Sequence, residues 1–173
     1  EVTRTYSSEG WSSAGPLGGG WSFGYAAGLF LDGKCGLASV VTADGSSQVF
    51  SSTDGLQKFT PQKGYHTALS RSGTAFVFTD KAGNEHHYES PDADGRPRLD
   101  FIVEPHGDRL VFTYDLSSRL TKVAEVHPEG DEVRAVTFTY RSIYGEERIV
   151  RAEIAALGLA VAYEYDTRGN LVK

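Results

Sequence analysis

Tyr114-Asp115-Leu116-Ser117-Ser118-Arg119-Leu120 and Tyr165-Asp166-Thr167-Arg168-Gly169-Asn170-Leu171 align without a gap, fifty-one residues apart. An alternating aromatic run leads into each copy: Leu110, Phe112 and Tyr114 in the first, Val161, Tyr163 and Tyr165 in the second. Each copy therefore reads as strand, tight turn, strand. A unit of that kind cannot bury its own apolar face, so it stacks on copies of itself. The expected architecture is all-β: tandem antiparallel hairpins forming an open, curling strip.

Outward from these copies the same grammar recurs. Ser39–Thr42 faces Ser47–Phe50 across Asp44-Gly45, and Thr74–Thr79 faces Glu85–Tyr88 across Asp80-Lys81-Ala82-Gly83-Asn84. Leu99–Val103 turns at Pro105-His106-Gly107-Asp108 into Leu110–Tyr114, and Val136–Tyr140 passes Tyr144-Gly145 into Ile149–Ile154. Val136, Phe138 and Tyr140 share a face by the strand period of two. Stacked hairpins bring such rings into ladders, each cross-strand pair adding ~0.2–1 kcal/mol. Residues 152–162 contain five alanines, but Gly158 interrupts them and the flanking β-branched residues favour strand.

The turns carry their own mechanism. An aspartate at the first position, Asp80, Asp115 or Asp166, accepts backbone N–H groups just downstream. Gly83 and Gly169 then supply the left-handed residue that a type I turn with a following bulge requires. Ser118 stands where glycine is wanted. A left-handed serine costs roughly 1–2 kcal/mol, so a different turn shape is expected there.

Residues 1–33 differ from residues 34–173. Glycines and aromatics crowd together in Gly15-Pro16-Leu17-Gly18-Gly19-Gly20-Trp21, a lead that can bend sharply while its rings pin it to an apolar surface. No Gly-Lys-Ser/Thr follows, so a structural loop is expected rather than a phosphate cradle.

The tandem Tyr-Asp-x-x-Gly-Asn/Arg-Leu pattern resembles the YD repeat of the RHS (rearrangement hotspot) family. Tyr165, Asp166, Gly169, Asn170 and Leu171 match the repeat closely. Tyr114, Asp115 and Leu120 match with Ser118 replacing glycine, Asp80 and Gly83 keep only the turn, and Tyr140-Arg141 lacks the aspartate. The opening Gly15, Pro16, Leu17, Gly18, Gly20 and Trp21 is similar to the segment that begins many bacterial RHS regions. The resemblance implies a β-hairpin strip that winds into a hollow shell, enclosing a C-terminal toxin or effector of the same polypeptide in bacterial members and serving adhesion in teneurins. It further implies a bacterial, secreted or surface-exposed parent. No self-cleaving segment is recognisable here, so this chain reads as the start of the wall, without cargo or protease.

Bulk composition agrees with such a role. The excess of 23 acidic over 17 basic residues argues against nucleic acid as a partner, and no apolar run is long enough for membrane insertion. Cys35 is the sole cysteine, so no internal disulfide forms. The chain has no methionine, even at its first position, and reads as a piece of a longer polypeptide.

Candidate chemical sites are weak. Asp92-Ala93-Asp94-Gly95 has the look of a calcium-loop opening but lacks the twelfth-position glutamate. His86 and His87 are adjacent in a strand and point to opposite faces, while His66, His106 and His127 are scattered, so no zinc site is expected. Cys35 follows Lys34, which could lower its thiol pKa, but no partner histidine is specified and a small turn-side cysteine is expected. No catalytic residue, cofactor or metal is expected. The rival reading is a glycan-binding or adhesion module, with Tyr6, Trp11, Trp21, Tyr65 and Tyr144 as platforms. Finally, the strip has unpaired edges, so self-association by strand addition is expected.

Overall fold

The computed structural model describes residues 3–7, 14–25, 27–43, 45–92 and 95–173. Its lead holds β1 (Arg4–Tyr6), β2 (Ala14–Gly15), β3 (Gly18–Gly19) and β4 (Trp21–Phe23). Four strands follow: β5 (Gly28–Asp32), β6 (Leu37–Val41), β7 (Ser47–Ser51) and β8 (Thr60–Pro61). The long run is β9 (Ala68–Ser72), β10 (Ala75–Thr79), β11 (Glu85–Tyr88), β12 (Leu99–Val103), β13 (Arg109–Tyr114), β14 (Leu120–Val126), β15 (Glu132–Ile143), β16 (Glu146–Ile154) and β17 (Leu159–Ala162). The alanine-rich stretch contributes only a single 3-10 turn, Ala155–Leu157, between β16 and β17.

The topology is a meander. Strands β9 to β17 form one nine-stranded antiparallel sheet in chain order, and β5 to β8 form a second. A lone bridge between Lys58 and Ser70 links the two, so the polypeptide zigzags through both as one strip. The strip is not flat. From β5 to β13 it takes eight strand steps, about 38 Å at the usual spacing. Yet Tyr25, three residues before β5 and so within about 10 Å of it along the chain, has its ring 6.0 Å from Phe112 of β13 and 6.3 Å from Phe138 of β15. The strip must therefore curl until its first strands and the lead lie against the middle of the long sheet.

Burial follows the period of two. Phe76 and Phe78 of β10, Tyr88 of β11, Phe112 of β13, Val123 of β14 and Phe138 of β15 all point into one core, which also takes Leu17, Leu29, Val40 and Phe50 from the other side. Fully burying each such side chain contributes about 1.5–3 kcal/mol. The last strand breaks the pattern. Sequence alternation puts Val161 with Tyr163 and Tyr165, but β17 stops at Ala162, and Val161 stays 54% exposed while Tyr163 is buried.

Candidate functional site

The repeat motif resolves into one geometric unit, used four times. Tyr88, Tyr114 and Tyr140 pair across the sheet with Leu99, Leu120 and Ile149, and Tyr165 bridges Leu171. A register shift lies beside each of the first three tyrosines. Such a bulge re-aims the side chain that follows it. Each ring then reaches back one unit: the Tyr114 hydroxyl donates to the Leu99 carbonyl at 2.9 Å, Tyr140 to Leu120 at 3.0 Å and Tyr165 to Ile149 at 2.6 Å. An arginine precedes two of these acceptors and covers the ring that donates to them, Arg98 over Tyr114 at 5.4 Å and Arg119 over Tyr140 at 5.2 Å. Burial pushes the Tyr140 and Tyr165 phenols up to about 12. Groups so placed are hydrogen-bond donors, not acids.

Tyr88 heads this ladder and was missed in the sequence because no aspartate follows it. Its signal was spacing: Tyr88, Tyr114, Tyr140 and Tyr165 stand 26, 26 and 25 residues apart. The Tyr88 hydroxyl is buried with no hydrogen-bond partner, and burial raises its pKa.

One turn geometry serves Asp80, Asp92, Asp115 and Asp166. In each, the fourth residue's N–H donates to the aspartate carbonyl and the aspartate N–H donates to the fifth residue's carbonyl. One carboxylate oxygen accepts N–H groups two and four residues on, at 2.8 and 3.0 Å for Asp80, 2.9 and 3.0 Å for Asp115, and 2.8 and 2.9 Å for Asp166. The other oxygen takes the side chain of Asn84, Arg119 or Asn170. These donors hold the Asp115 and Asp166 carboxyls below the ordinary range; partial burial works the other way at Asp80 but is outweighed. The expectation of a different shape at Ser118 is corrected: it adopts the left-handed conformation itself, at φ 60°. The Asp115 and Arg119 bonds hold it there. Asp44 and Asp94, named with the turns and the calcium-loop reading, lie outside the described residues.

The glycine-rich lead docks on the last repeat unit. Ile149 N–H donates to the Pro16 carbonyl at 2.9 Å, and Arg148 Nη1 donates to the Gly15 carbonyl at 3.2 Å. Gly18 has φ 94°, and a Cβ there would stand 2.9 Å from the Gly169 carbonyl oxygen. Leu17 is buried in the core, and the Trp21 ring lies 5.2 Å from Tyr6. The opening motif and the best Tyr-Asp turn are thus direct partners.

The remaining candidates disperse. Among the described residues no three His, Cys, Asp or Glu side chains gather as a metal site. His86 faces Asp80 and the Phe78 ring, whereas His87 stacks on Phe101 on the opposite face. Cys35 is an exposed turn cysteine, and its hydrogen bond with Asp32 pushes the thiol pKa up, against the lowering that Lys34 alone would give. Tyr6, Tyr65 and Tyr144 are exposed, at 51%, 44% and 69%, but among the described residues only Tyr6 meets another of the named platform residues, Trp21. Trp11 lies outside the described residues.

Comparison with known proteins gives likenesses of two kinds, to a family model and to solved structures. Residues 1–50 match the domain of unknown function DUF6531. The whole fold is similar to the N-terminal domain of the effector protein SpvB from Salmonella typhimurium strain LT2, with TM-score 0.60, 15% identity, and coverage of 96% of this chain and 89% of that one. Curated protein sequences return no match. At this identity the structural likeness establishes a shared fold.

Proposed function

We propose that this chain is a wall segment of a hollow YD-repeat shell, of the RHS type, that encloses a C-terminal toxin or effector of its parent polypeptide. The observation that carries the reading is the commitment of the motif side chains. The tyrosine hydroxyls of three units are spent on neighbouring carbonyls, and the aspartates are spent on their own turns. What remains is a strip whose repeat unit is built to contact the next one. A fold shared with an effector's N-terminal domain supports the same class of parent. The aspartates hold turns and perform no catalysis in this reading, and the working partners are neighbouring repeats and cargo.

Strand β17 is the natural growth point. Its four residues are apolar and exposed, with Leu159 at 57% and Val161 at 54%, and it is the terminal strand of the nine-stranded sheet, paired with β16 on one side. Natural edges are usually blunted by charge, bulges or cover. Without a neighbouring repeat, such an edge recruits another strand, including that of a second copy.

Protease challenge of the native gene product tests the shell. Enclosure protects the C-terminal region from proteolysis until the strip is unfolded. Digestion of that region at the rate of an isolated, unprotected domain would contradict it.

A further inference from the structure

The face that carries the core runs out into charge at one rim of the long sheet. Leu110 shares that face with Phe112 by the period of two. It pairs directly with Glu125, which pairs in turn with Arg134. Directly opposite residues of an antiparallel pair lie on one face, so Glu125 and Arg134 occupy inward positions. Glu104, two residues beyond the core-packed Ile102, continues the same row at the end of β12. These charged groups border a cavity of about 550 Å³ with an apolar floor of Leu110, Val123, Val136 and Ile154. Tyr25 of the lead forms one wall. Burial raises its phenol pKa, with Arg134 opposing and Glu125 adding, so both charges act on its hydroxyl.

Two of the charges at the mouth are open. Glu104 is exposed and has no ion-pair partner among the described residues. Arg134 is tied to Glu125 through Nε, which leaves both Nη groups without a partner among the described residues. The other charges on the lining are spent: Asp108 bonds His127 at 3.0 Å, and the Arg109 guanidinium lies over the Phe101 ring at 5.6 Å. Glu104 and Arg134 stand three strand steps apart, about 14 Å, a span that the two side chains and one amino-acid backbone between them can bridge. We propose that this cavity binds a free α-amino acid with an aromatic or apolar side chain. The ammonium goes to the Glu104 carboxylate, the carboxylate takes the Arg134 Nη groups, and the side chain lies on the apolar floor beside the Tyr25 ring. An amine alone leaves Arg134 unmatched, and a carboxylate alone leaves Glu104 unmatched; a zwitterion meets both. The volume lies within the ordinary range for small-ligand sites. The site is complete within the described strip, so the inference does not depend on the shell reading.

Isothermal titration of the intact protein at neutral pH with phenylalanine, phenethylamine, 3-phenylpropionate and glycine decides it. Phenylalanine is expected to bind saturably with Kd of ~1 mM or tighter, about tenfold tighter than each of the others. Glu104→Gln cancels its advantage over 3-phenylpropionate, and Arg134→Gln cancels its advantage over phenethylamine, each with about a tenfold loss of phenylalanine affinity. Both residues are exposed, so both variants keep the circular dichroism spectrum of the parent. No saturable heat up to ~10 mM phenylalanine, or unchanged phenylalanine affinity in either variant, overturns the proposal. Phenethylamine or 3-phenylpropionate binding as tightly as phenylalanine overturns the zwitterion and reassigns the cavity to singly charged ligands. Glycine binding as tightly overturns the role of the apolar floor, and with it the ligand class.

Discussion

Two tyrosines of the same ladder make opposite predictions. The Tyr114 hydroxyl donates to the Leu99 carbonyl, so Tyr114→Phe leaves a buried acceptor short and costs about 1 kcal/mol in denaturant unfolding. The Tyr88 hydroxyl is buried without a partner, so Tyr88→Phe is neutral or stabilising by about 1 kcal/mol. Equal losses in both variants would show that the ladder hydroxyls do not act as the structure has them. Ser118 gives a third residue-level test. Ser118→Gly relieves a left-handed strain of roughly 1–2 kcal/mol and loses roughly 0.5–1 kcal/mol to unfolded-chain entropy, for a net gain of about 0.5–1 kcal/mol. A loss of stability would mean that the turn is not strained at φ 60°.

At the scale of the element, pH separates two populations of groups. The Asp115 carboxyl is held low first by Arg119, and that of Asp166 first by Asn170. An unfolded chain takes up those protons first, so their stabilisation is present above the ordinary aspartate pKa of about 3.9 and is lost as pH falls through and below it. Burial lowers the His86 pKa, with Asp80 partly opposing. The unfolded chain again binds the proton first, so stability declines once pH drops below about 6.5. Melting temperature is expected to fall in two steps on acidification. His86→Phe removes the upper step, and Asp115→Asn with Asp166→Asn shrinks the lower; a single step unaffected by either would contradict these assignments.

The edge strand belongs to the same scale. Val161→Lys puts a charge on the open edge of β17 and is expected to shift light-scattering mass toward monomer at high concentration. A wild-type chain that is already monomeric there would count against strand addition. The hairpins themselves were legible in the sequence because turn chemistry and period-two alternation agreed. What was not legible followed from distance. The bulge beside each of the first three tyrosines depends on its cross-strand partner, and Tyr88, which no aspartate follows, shows its membership in its spacing and in its pairing with Leu99. Ser118 misled for a related reason, since local propensity gave way to the hydrogen bonds that surround it.

At the scale of the whole molecule, the lead closes on the far end of its own strip. Its glycines read as a loop in the sequence, but nothing local pointed to residues 15–18 meeting Arg148, Ile149 and Gly169. That contact joins the two segments whose pattern resembled the RHS family, and it fixes how far the strip curls. Electron cryomicroscopy of the native gene product tests the account most directly. The account predicts that the meander continues from β17 through further tyrosine-laddered hairpins, closing around a cavity with density inside it. A compact body that ends at this strip, with β17 facing solvent and no enclosed space, would contradict it.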